Sequence, residues 1–231
     1  MPPPPQPLSR AAIIDAAIQH VDENGLAALT MRTLGQRLGV EAMSLYHHVN
    51  GREDLLEGMV DHLVSQVQVP DSGPDDPGNG WQAVLQHVAH DVRGVATAHP
   101  FLFPLVATRP PAAPWLRPPL RSLALVEEFL AALVERGLGG DLAVHVYKVF
   151  TSFLLGHLLL EAAQMGATTS PPSEPLDEGD AEVPADDARQ QLADYPTLLR
   201  LEGPLRRHDA DAQFERALEA LLDRLDLELA Q

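Results

Sequence analysis

The chain has no cysteine and a single lysine, Lys148. Without thiols it forms neither disulfides nor thiolate metal sites. Aromatic residues make up only 5%, so any core must be built from aliphatic side chains. No stretch alternates apolar and polar residues as a half-buried strand would, and no segment repeats. No apolar run follows a basic N-terminus, so a secretory signal is not expected. The most apolar stretch, residues 149–160, is too short to cross a bilayer and is interrupted by Thr151, Ser152 and His157. A cytoplasmic helical protein without a membrane partner is the expectation. No Gly-rich phosphate loop and no Gly-x-Ser-x-Gly motif points to an enzyme.

Positive charge is also scarce. Sixteen Lys and Arg face 33 Asp and Glu, a formal net charge of −17. Taken alone, that balance disfavours nucleic acid, because DNA-binding proteins carry a basic footprint. The acid is unevenly placed, however. Residues 174–187 are acidic, Pro-rich and poor in large apolar groups, which predicts a flexible loop over 167–187. Arg10, Arg32, Arg37 and Arg52 cluster instead around one motif near the N-terminus.

That motif occupies residues 30–56. After a helical pattern capped by Ser9 and closed by Asn24-Gly25, Thr30 caps a short helix whose inner face is Leu34 and Leu38. Gly39 permits a left-handed turn. A third short helix spans 41–48, with Leu45 and then Val49 toward the core. Asn50 and Glu53 are spaced as a capping box for a long amphipathic helix over 52–69, ending before Pro70. This is the layout of a helix-turn-helix, whose second helix enters the DNA major groove. On that helix Ala42, Met43, Ser44 and His47 project toward base edges. Arg52 adds a cation beside a helix N-terminus, and Thr30 and Arg32 stand where other phosphates would lie. Met43 has packing as an alternative role, and Tyr46 a place in the core.

The sequence Leu38-Gly39-Val40, then Ser44-Leu45-Tyr46-His47-His48-Val49, then Arg52 and Leu55-Leu56 resembles the DNA-binding domain of the tetracycline-repressor (TetR) family. The resemblance implies backbone contacts by Tyr46 and His48, a homodimer on palindromic operator DNA, and release by a small-molecule effector. His99-Pro100, Thr108-Arg109-Pro110 and residues 152–161 resemble the effector domain of the subgroup nearest the tetracycline repressors. Those sensors hold a metal-bound drug with a histidine three residues before the Thr-Arg-Pro; here that place is Leu105. The matching pocket is expected to be lined by Phe101, Phe103, Leu105, Trp115, Phe150, Phe153 and Leu154. Tyr147, His157, His145 and Gln164 would supply polar contacts. Such a lining suits an apolar or weakly polar effector and needs neither metal nor cofactor.

The fold expected is therefore all-α. A disordered tail (1–8) precedes a DNA-binding domain (9–69), and an effector-binding and dimerisation domain follows (81–231). Phe214, Leu218, Leu221, Leu222 and Leu225 stripe the last helix and are expected at the dimer interface. Two His/carboxylate groupings, His87-His90-Asp91 and His157-Glu161, have metal-ligand spacing without a third distant ligand. The rival expectation is a helical ligand-binding protein or enzyme whose helix-turn-helix is only structural.

Overall fold

The computed structural model describes residues 8–70, 80–108, 122–167 and 194–229. The tail, the connector at 71–79, Trp115 with most of the Pro-rich segment, and most of the acidic loop lie outside the described residues. Among those described there are ten α-helices and no strand. They are α1 (Arg10–Asn24), α2 (Met31–Leu38), α3 (Ala42–Leu45), α4 (Arg52–Val64), α5 (Trp81–Ala98), α6 (Phe103–Thr108), α7 (Leu123–Glu135), α8 (Gly140–Gln164), α9 (Pro196–Arg206) and α10 (Ala210–Leu229). The chain forms two compact units, Met1–Thr169 with Leu225–Gln231, and Ser170–Arg224. The boundary expected between residues 69 and 81 falls inside the first unit.

Local chemistry sets the early helix ends. Ser9 Oγ accepts the Ala12 amide at 3.2 Å, which satisfies one of the four orphan donors at a helix start. Thr30 Oγ1 accepts the Thr33 amide, and Thr33 Oγ1 accepts the Thr30 amide, both at 3.0 Å. This is a capping box built from two threonines. Gly39 ends α2 at φ 69°, ψ 27°, a left-handed conformation in which a Cβ would crowd the following carbonyl.

Other expected boundaries shift. The third helix is regular only over Ala42–Leu45. Beyond it His48 bonds back three residues, to Leu45 O at 2.9 Å, the tighter winding typical of helix ends. The Asn50–Glu53 capping box does not form. Gly51, at φ 97°, is the cap of α4, and Asp54 takes the Asn50 amide on its carboxylate at 2.7 Å. The helix expected over 52–69 stops at Val64. The chain then bends away, and the Gln68 amide is caught by Asp91 Oδ2 of α5 at 2.9 Å. Gly139 caps α8, and Asp141 sits in its first turn, where its charge complements the helix dipole.

Ile13, Ile14, Ala17, Ile18 and Val21 of α1 close over Leu34, Leu45, Val49, Leu55, Leu56, Met59 and Leu63. Two residues from beyond position 80, Val95 and Leu102, are buried in that same cluster. The hydrophobic core of the helix-turn-helix therefore continues into the α5–α6 corner. Further along, α8 packs on α5, α6 and α7. By length and composition α8 is apolar enough to cross a membrane. It is nevertheless a core helix, with Val146, Tyr147, Phe150, Leu154 and Leu158 buried.

Candidate nucleic-acid interface and effector region

The α2–α3 turn is tight because of Gly35. A Cβ there would stand 2.9 Å from the Val40 carbonyl oxygen and 3.2 Å from the Ala42 amide nitrogen. Only a residue without a side chain lets α3 approach α2 so closely. Leu45 is fully buried and Val49 nearly so; they anchor the turn from below. The intervening residues face out. Met43 is 72% and Tyr46 47% exposed, and His47 and His48 are exposed, while Ala42 and Ser44 are half-buried. A methionine at that exposure adds little to the core of its own chain.

The arginines divide into two pairs. Arg10 donates through Nη1 and Nη2 to the two carboxylate oxygens of Asp54, each at 2.8 Å. Arg37 donates through Nη2 to Glu23 at 2.8 Å. Both guanidinium pKa values are raised, chiefly by these hydrogen bonds. Arg10 and Arg37, expected near the DNA face, are thus neutralised within the fold. Arg32 and Arg52 are exposed, and neither forms a salt bridge with another described residue. Thr30 is exposed, with its hydroxyl committed to capping α2.

Three residues missed in the sequence hold this surface. Asp54 joins α4 to α1 and closes the turn before α4. Gly58 lies where α4 meets α1: a Cβ there would stand 2.7 Å from Ile14 Cδ1 and 3.2 Å from Arg10 Nη2. Gly35 shapes the turn. The signal for the two glycines was their position within amphipathic helices, where alanine would otherwise be favoured.

The residues expected to line one effector pocket separate into two environments. Phe101 and Leu105 are half-buried against the helix-turn-helix core, and Leu105 with Val106 also packs on Val60, Val64 and Leu125. Phe103, Phe150 and Leu154 are fully buried, and Tyr147 is nearly so. Phe129 stacks on Phe150 at 5.6 Å and meets Tyr147 edge-on at 6.0 Å. These are core contacts, as a wide apolar stripe on a packed helix requires. Phe153 remains half-buried, tilted on His157 at 5.7 Å. Beside them Arg93 clasps Glu161 through Nε at 3.2 Å and Nη2 at 2.7 Å. Glu161 is thereby spoken for as an ion-pair partner of α5. Burial is the main cause lowering the His157 pKa, and Glu161 opposes it. A neutral imidazole offers one donor and one acceptor. Of the other histidine grouping, His87 lies 3.5 Å from Asp91, which already receives the Gln68 amide.

The stripe expected at the dimer interface lies on α10. Phe214, Leu218, Leu222 and Leu225 are at most 6% exposed within a single chain, and Leu221 is half-buried. Exposed apolar groups include Leu123 and Val134 on α7, Val144 and Leu160 on α8, Leu198, Leu199, Leu201 and Leu205 on α9, and Leu227 on α10.

Two family models match. Residues 13–59 match the bacterial regulatory proteins of the tetR family, and 73–228 the tetracyclin repressor-like C-terminal domain. The HTH-type transcriptional repressor DrrR1 of Streptomyces coeruleorubidus is 28% identical, covering 98% of this chain and 81% of its own. The class D tetracycline repressor protein of Escherichia coli is 28% identical, over 73% of each chain. Among solved structures, Streptomyces coelicolor ActR in complex with actinorhodin superposes with a TM-score of 0.67 at 27% identity, covering 95% of both chains.

Proposed function

The chain belongs to the tetracycline-repressor family, and from that premise we propose how it acts on DNA. It is a ligand-responsive, DNA-binding transcriptional regulator. In our reading it is a repressor that holds a palindromic operator as a homodimer and releases it when an effector binds. The observation that carries this reading is the outward display of Met43, Tyr46, His47 and His48 on a turn whose Leu45 and Val49 are buried. Ala42, Met43, Ser44 and His47 read base edges. Thr30, Arg32, Tyr46, His48 and Arg52 hold phosphates and set register. With Arg10 and Arg37 neutralised, few permanent cations remain, which suits a chain of net charge −17.

The effector is an apolar or weakly polar small molecule bound without magnesium. Leu105 supports this, because it has no lone pair where the tetracycline sensors carry a metal ligand. Release travels through α6. Leu105 and Val106 touch the α1–α4 core and the Val60–Val64 face of α4 together. An effector that shifts α6 therefore tilts α4, and a coupling of roughly 1–3 kcal/mol is enough for regulation. The exposed Leu160 of α8 supports that helix as part of the dimer surface.

The test is selection of bound sequences from random DNA by the full chain, compared with Ser44→Ala. A palindromic consensus that changes at one base pair per half-site in the variant supports base reading by α3. An identical consensus from both proteins removes Ser44 from the reading face, and no consensus at all overturns the regulator reading.

A further inference from the structure

His99 Nδ1 lies 2.9 Å from Asp22 Oδ2, joining residues 77 positions apart. Asp22 is in the last turn of α1. His99 terminates α5 at the corner into α6. Both side chains are mostly buried, at 20% and 27% exposure. The second Asp22 oxygen is buried and has no hydrogen-bond partner among the described residues. The carboxylate therefore depends on His99.

The placement of this bond matters more than its strength. Val95, four residues before His99, and Leu102, three after it, are both buried in the helix-turn-helix core. Apolar contacts of that kind hold the corner in place but are non-directional. They permit rotation of one body on the other. A hydrogen bond has a preferred angle as well as a length, so one placed at the rim stops that rotation. The neighbouring residue completes the device. Glu23 follows Asp22 at about 100° around the helix and receives Arg37 from the last turn of α2 at 2.8 Å. The end of α1 thus grips the α5–α6 corner with one carboxylate and the helix-turn-helix with the next.

We propose that Asp22 and His99 are positioning residues that set the angle of each DNA-binding domain on its effector domain, and thereby the spacing between operator half-sites. The proposal rests on operator binding by a homodimer. Half-sites in such dimers lie about 34–36 Å apart, one turn of 10–10.5 base pairs. Adding one base pair moves a half-site by about 3.4 Å and rotates it by roughly 35°. A dimer whose reading heads are held at a fixed angle rejects that change; one with a loosened joint tolerates it.

The experiment uses the full-length protein and the operator obtained by selection from random DNA, remade with one base pair removed, none changed, and one or two added. Binding is measured for wild type, Asp22→Ala, His99→Leu, the double variant, and His99→Asn, whose amide nitrogen can stand in for Nδ1. His99→Leu keeps apolar bulk at the corner and serves if Asp22→Ala fails to fold. Wild type should favour the native spacing by more than roughly tenfold. Asp22→Ala and His99→Leu should lose about tenfold at native spacing and little at the altered spacings, so that the profile flattens. The double variant should be no worse than either single, and His99→Asn should keep the wild-type profile. Equal loss at every spacing, an unchanged profile, or additive single effects would overturn the proposal. If wild type selects no operator, it is the underlying regulator reading that fails.

Discussion

The backbone oxygen of Val40 sits 2.9 Å from the point a Cβ on Gly35 would occupy. The turn that presents α3 thus depends on an atom that is missing. Backbone at Val40 and Ala42 cannot swing aside as a flexible side chain would. Gly35→Ala gains helix propensity, about 1 kcal/mol, but drives α3 off α2 at an overpacking cost of about 1–3 kcal/mol. We expect a small fall in the thermal midpoint. Operator affinity should fall at least roughly tenfold under conditions where the variant is folded. Wild-type affinity with an unchanged midpoint would show that the turn absorbs the methyl group.

The Asp54 carboxylate is held below the usual range, first by the Arg10 hydrogen bond and then by the Asn50 amide. A depressed carboxylate stabilises the fold above its unfolded-state pKa, near 3.9, and that contribution disappears as pH falls through the lower folded value. Urea unfolding of wild type and Asp54→Asn should therefore differ at pH 7. The gap should be about 1 kcal/mol, as for a partly exposed pair. It should narrow only below about pH 4. A gap constant down to the acid transition would mean that the carboxylate's charge contributes nothing.

Leu160 is 69% exposed on α8, whereas Leu225, on the stripe first expected to dimerise, is buried. Leu160→Glu should weaken the dimer by about 2 kcal/mol or more, the scale of an interface hot spot, which is roughly 30-fold in its dissociation constant. Circular dichroism should be unchanged. Leu225→Glu should instead unfold the chain. Light scattering that finds a full dimer for Leu160→Glu at low concentration would remove α8 at that point from the interface.

Much of the fold was legible in the sequence. The caps Ser9 and Thr30, the left-handed Gly39, and the inner residues Leu34, Leu45 and Val49 were all readable, because each depends on neighbours within a few positions. The outward direction of Met43, His47 and His48 follows from the same short-range periodicity. Tertiary structure decided the rest. Arg10 and Arg37 looked available to DNA until Asp54 and Glu23, 44 and 14 residues away, took them. Leu105 packs on both the α1–α4 core and the Val60–Val64 face of α4, a contact that no local pattern announces. Periodicity shows that a helix face is apolar but not what covers it; any packed surface of the right shape satisfies the same stripe. Likewise an arginine's sequence position says nothing about which carboxylate lies within hydrogen-bonding distance once the helices have docked. Local backbone chemistry is written in order along the chain, while charge pairing and burial depend on distances that exist only after the core has closed.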